Sequence, residues 1–199
     1  NYFLYSPLNV NKFYILSWDN DGSFHSMEDQ VSGKIGEEDS WEHGLSNYWG
    51  NILYQRMFKV KEYRDGLTAA IEDLRSQYLT EEKINSLVST YRIVTKPYVY
   101  RMPDLMYAPL TESEYDVVAD SIAKEVEENY QLYLESLEKP MPFYIGVPEA
   151  SGDKLTFVWD TAYDFDGENI TYSIDVSSDY LFQNIIYSST DLRIPEMET

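Results

Sequence analysis

The sequence predicts an α+β fold laid out in series: a short β-hairpin, a long helical block and a closing run of strands. Two observations carry this reading. Between about residues 45 and 138 apolar residues recur at helical spacing, while on either side they fall in strand-length runs. Polar and turn-forming segments divide these regimes.

The hairpin comes first. Tyr2 and Leu4, then Phe13, Tyr14, Ile15 and Leu16, form runs of strand length, with turn residues at positions 6–12 between them. The second strand leads into Trp18, Asp19, Asn20, Asp21, Gly22 and Ser23. Residues 25–44 are rich in Asp, Glu and Gly and read as a long surface loop, with His25 and His43 as solvated flanks. The chain reads as strand from its first residue, so we expect it to be cut from something longer.

In the helical block, Tyr48, Ile52 and Met57 suggest a first helix, beside Trp49 and Leu53. Leu67, Ile71, Leu74 and Tyr78 share one face of a second. Thr80 can cap a third, where Ile84, Leu87, Val88 and Tyr91 follow the same rule. Residues 95–110 hold Pro97, Pro103 and Pro109, so no regular helix is expected there. Thr111 and Glu114 then match a capping box, in which each side chain satisfies the other residue's backbone N–H. The helix behind it carries Tyr115, Val118, Ala119, Ile122, Val126, Tyr130, Tyr133 and Leu137 on one stripe, read as core.

Residues 140–142, Pro-Met-Pro, read as a linker between a unit at 1–139 and another at 143–199. Beyond it the pattern is β: Leu155–Trp159 and Ile170–Val176 read as strands, and residues 184–188 suggest a third. The turn between the first two contains Asp164 and Asp166, which alternate like calcium ligands; a plain turn is the competing reading.

Composition narrows the function. The net charge of −20 opposes binding to nucleic acid and suits cations or basic protein segments. With no cysteine, disulfides, thiolate metal sites and Cys nucleophiles are excluded. No apolar stretch approaches the roughly 18 residues that span a bilayer.

The run NYFLYSPLNVNKFYILSWDNDGSF, followed by WGNILYQRMFKVKEYRDGLTAAIEDLRSQYLTEEKINSLVSTY, resembles the spore-coat protein H (CotH) kinase family over residues 1 to about 138. The resemblance implies the C-terminal helical lobe of an atypical protein-kinase-like fold, moving phosphate from ATP to a protein substrate with magnesium. It assigns Asp19 of Trp-Asp-x-Asp to the catalytic metal, Asp21 to a second carboxylate beside it, and Asn1 to a supporting ligand. Ser17 stands where the family usually has Pro, and Gly22-Ser23-Phe24-His25 replaces its usual hydrophobic segment. The family's nucleotide-binding lysine would precede Asn1, so the chain alone is expected to be inactive. The tail resembles the start of a fibronectin-type-III or cadherin-like β-sandwich, truncated and therefore prone to self-association. The alternative reading is a non-catalytic surface, adhesion or scaffold protein that keeps the kinase-like fold. Either implies an extracellular, cell-envelope or spore-surface setting in a bacterium.

Overall fold

A computed structural model describes residues 2–18, 44–108 and 110–198. Strands β1 (Tyr2–Tyr5) and β2 (Tyr14–Ser17) form an antiparallel hairpin in the register Tyr5↔Tyr14 to Tyr2↔Ser17. It packs against no other helix or strand among the described residues.

The helical block opens with a 3-10 turn, Gly44–Tyr48, and continues as α1 (Ile52–Phe58), α2 (Lys61–Gln77), α3 (Glu81–Val99) and α4 (Glu112–Glu138). Local signals set most ends. The Asn51 side chain caps α1 by accepting from the Leu53 amide, and Thr80 caps α3 by accepting from Lys83. At α4 the full capping box forms: the Thr111 amide donates to Glu114 Oε2 at 2.7 Å, and the Glu114 amide donates back to Thr111 Oγ1 at 3.3 Å.

Two helical expectations need correction. α3 runs through Pro97 to Val99, although that stretch was expected to be irregular. Proline deletes its own N–H and crowds the carbonyl four residues back, but in the last turn of a helix little remains downstream to disrupt. The second correction concerns α2. Leu67 and Ile71 pack against the core, but Leu74 and Tyr78 on the same face are exposed. Beyond Ile71 a different contact takes over, with the Arg75 guanidinium lying 3.7 Å from the ring centre of Tyr130 on α4.

On α4 the apolar stripe faces α3 and the opening turn, yet only Tyr133 is fully buried among its apolar residues. Its tyrosines keep their hydroxyls paired, Tyr115 with Thr95, Tyr133 with Thr68, and Tyr130 as donor to Glu72. The buried Ser136 hydroxyl accepts from the Leu45 amide at 3.0 Å and donates to the Tyr133 carbonyl at 2.7 Å. Gly44 approaches so closely that a Cβ there would lie 2.3 Å from that hydroxyl oxygen, and its φ of +54° also favours glycine.

The tail folds into two small antiparallel sheets. One has the order β3 (Glu149–Ser151), β4 (Lys154–Val158), β7 (Glu196–Glu198), and the other pairs β5 (Tyr172–Ser177) with β6 (Ile185–Leu192). Phe157 and Met197, directly paired across β4 and β7, meet Tyr172, Ile174 and Leu192 of the second sheet around Trp159. Gly146 lies so close to β4 that a Cβ would stand 2.9 Å from the Val158 carbonyl oxygen.

Within residues 140–142 the middle one enters the core, while Pro140 stays exposed. Met141 is 1% exposed, within a cluster of Leu45, Trp49, Phe58 and Tyr133. Its amide donates to the Tyr163 carbonyl at 2.7 Å. The segment after β4 is shared between both cores: Ala162 enters the sheet core, whereas Tyr163 and Phe165 turn onto Trp49.

Met141→Ala is expected to cost about 2–5 kcal/mol in urea unfolding, the range for truncating a buried side chain. Half-buried Ile122→Ala should cost less, and exposed Lys124→Ala should leave the midpoint unchanged. Thr111→Ala, which removes one half of the capping box, is expected to cost about 0.5–2 kcal/mol in the same measurement.

Candidate functional site

The hairpin is what would aim the Trp-Asp-x-Asp motif. Side chains alternate across the strands, so Phe3, Tyr5, Tyr14, Leu16 and Trp18 share a face. Trp18 stacks on Phe3 with ring centres 5.3 Å apart and planes at 16°, a diagonal cross-strand pair that fixes the chain just past β2. Tyr5 and Tyr14 add a second ring contact at 6.5 Å near the turn. Asp19 follows Trp18 directly in sequence. Asn1, Asp19 and Asp21 themselves, with His25 and His43, lie outside the described residues. Among the described residues no group of three or more His, Cys, Asp or Glu side chains gathers where it could hold a metal ion.

Asp164 and Asp166 sit in the segment between the two tail sheets. Asp164 Oδ1 accepts from the Asp166 amide at 2.8 Å and the Glu168 amide at 3.2 Å, closing the turn that Gly167 completes at φ +72°. That carboxylate oxygen is thus engaged by its own loop.

Between α3 and α4 lies a ladder of ion pairs. Arg92 meets Asp120 and Asp116, and Lys96 meets Asp116 at 2.7 Å and Glu112 at 3.2 Å. The hydrogen bond to Asp116 holds the Lys96 ammonium above its ordinary pKa, against partial desolvation. Arg75 bridges α2 to Glu127 on α4. Asp120, Arg75 and Glu127 also rim a polar cleft of about 570 Å³, lined by Glu72 and Lys124 as well, among others. Each already has a partner, Arg75 with Glu127, Glu72 with Tyr130, Asp120 with Arg92 and Lys124 with Glu128, which makes this a solvated helix seam. A second cleft, of about 340 Å³, opens between the helical block and the tail.

Sequence reasoning missed Asp179, which organises the loop between β5 and β6. Its Oδ1 accepts from the amides of Leu181 and Gln183, and its Oδ2 from the Asn184 amide at 2.6 Å and the Ser177 hydroxyl at 3.0 Å. The signal was present as Ser-Ser-Asp before an apolar pair, a pattern in which a carboxylate caps backbone amides.

The family model described as CotH kinase protein matches residues 1–133. No curated protein gives a significant match, and no solved structure does. Among the described residues no helix is long and apolar enough to cross a membrane.

Asp179 provides a pH test of the tail. Its carboxyl is held below the ordinary carboxylate range, first by the Gln183 amide and then by the Ser177 hydroxyl and further amides. A carboxyl with a depressed folded pKa adds stability above its unfolded value of about 3.9, and that stability is lost as pH falls through the folded value. NMR titration should therefore give Asp179 a midpoint below a free aspartate's. Asp179→Ala should flatten the acid limb of the tail's stability profile.

Proposed function

The chain belongs to the CotH kinase family, and on that premise we propose that it is part of an atypical protein kinase, with Asp19 and Asp21 as its metal-binding carboxylates. The observation that carries this is the hairpin end. The family match spans it, and the Phe3–Trp18 stack ties the chain to the hairpin one residue before Asp19. The donor set suits the role, since magnesium takes hard oxygen ligands, often one or two carboxylates, with water and phosphate. Asn1, which precedes β1 in sequence, would add a further oxygen donor. When bound, magnesium neutralises the charge of the ATP phosphates.

In this reading the hydroxyl oxygen of a protein substrate attacks the γ-phosphorus, its proton passes to solvent, the bond from the γ-phosphorus to the bridging β-phosphate oxygen breaks, and ADP leaves. The protein's part is to hold two carboxylates in fixed positions, since positioning and electrostatics supply most of this catalysis. The net charge of −20 favours a basic substrate segment. Calcium at Asp164 and Asp166 is not part of the proposal, because Asp164 Oδ1 is already engaged by two amides.

A second reading, a non-catalytic surface or scaffold protein, draws on the tail. Its two facing sheets have the layered form of modules, such as fibronectin-type-III or cadherin-like ones, that space domains at cell surfaces. The open edge of β6, where Ile185 and Ile186 are exposed, would offer a pairing surface to a second copy. Both readings fit an exported setting at a cell or spore surface.

Transfer of labelled γ-phosphate to a basic protein, by the full gene product containing this chain, decides between them. Magnesium-dependent transfer is expected. Asp19→Asn should lower it by about 10²-fold or more, the scale for losing one preorganised electrostatic group, while the melting temperature stays nearly unchanged. No transfer by the wild-type protein would favour the scaffold reading. Transfer that survives Asp19→Asn would displace the assignment of the site.

A further inference from the structure

The cleft of about 340 Å³ between the helical block and the tail differs in kind from the helix seam. One wall comes from the helical block, with Trp49, Gln55 and Lys59; the other comes from the tail, with Tyr144, Asp160 and Thr161. Tyr163 and Phe143 add further ring surface. Its volume lies near the lower end of about 300–1,000 Å³ for small-molecule sites, which favour junctions between folding units and combine aromatic walls with a few convergent polar groups.

The polar groups here are not spent on each other. The side chains of Gln55, Lys59, Asp160 and Thr161 form no hydrogen bond or ion pair with another described residue. Lys59 is placed by rings: its ammonium lies 4.7 Å from the Tyr163 centre and 5.4 Å from the Trp49 centre. The Asp160 backbone is fixed by its amide, which donates to the Tyr144 carbonyl at 2.8 Å.

The chemistry of this set selects a ligand class. Lys59 only donates, Asp160 only accepts, and Gln55 and Thr161 do both. An anion gains at Lys59 and loses at Asp160, and a cation meets the reverse. A neutral molecule whose every polar group both donates and accepts satisfies all four. If it also has weakly polarised C–H faces, it can lie against the electron-rich faces of the aromatic walls. We propose that this cleft binds a neutral carbohydrate, with Tyr144 as the accessible ring and Lys59, Asp160, Gln55 and Thr161 reading its hydroxyls. The site shares no residue with the phosphoryl-transfer reading, and either can fail without the other.

The test is titration of the ¹⁵N-labelled chain with maltose, cellobiose, lactose and N,N′-diacetylchitobiose, with glycine, phosphate and tetramethylammonium as charged comparisons. At least one disaccharide is expected to give saturable shifts confined to amides around the cleft, within residues 49–59 and 142–163. Tyr144→Ala and Asp160→Ala should each weaken that binding by at least about tenfold, the scale for losing one good contact. Tyr144 is 67% exposed, so its removal leaves the core intact. Asp153→Ala, an exposed change in the turn between β3 and β4, should have no effect. The proposal is overturned if no disaccharide gives saturable shifts, if glycine, phosphate or tetramethylammonium binds there in preference, or if binding survives both cleft substitutions.

Discussion

Beyond the hairpin, the architecture depends on where Met141 is seated. Its side chain enters the space enclosed by Leu45, Trp49, Phe58 and Tyr133, and its amide reaches across to the Tyr163 carbonyl. This anchors the chain as it leaves α4 and sets the starting position of the tail. From there the alternation of Ala162 against Tyr163 and Phe165 lets one short segment serve two cores. Two flanking prolines suit this placement: neither offers an N–H that would need a partner beside a buried residue.

The elements with local causes were legible in the sequence. Thr111 and Glu114 announced the start of α4, Thr80 that of α3, and the strand-length runs at both ends marked the hairpin and the tail. Burial was harder to read. Periodicity says which residues share a face but not how far a neighbour extends along it, so Leu74 and Tyr78 looked like core and lie in water. The proline rule failed at Pro97 because its cost depends on position within the helix. Of the site, the family resemblance named Asp19 and Asp21. The cleft at Lys59 and Asp160 joins residues about a hundred positions apart, and no local pattern signals such a meeting.

Charge has two distinct roles in this molecule. Lys61, Arg75, Arg92, Lys96, Lys124, Lys139 and Lys154 all bridge to carboxylates, several of them on neighbouring helices or strands. Exposed pairs of this kind add little stability individually. Their collective effect is on the field: with much of the positive charge tied up at close range, the acidic excess faces solvent. A basic partner would be drawn in quickly at low salt and much more slowly once the Debye length shortens.

Pro97 has a dynamic consequence. Its missing N–H leaves the Ile93 carbonyl without its helical partner, and Ile93 is well exposed, so water can supply the bond. The same turn is where α3 is tied to the start of α4: Lys96 reaches Glu112 and Asp116, and the Tyr100 hydroxyl lies within bonding distance of the Leu110 and Thr111 carbonyls. Unwinding the last turn of α3 would therefore remove these ties from the first turn of α4, leaving it to its own capping box. The two helix ends are coupled in this way, and less buried surface holds their joint than holds the segments around Ile84 and Tyr133.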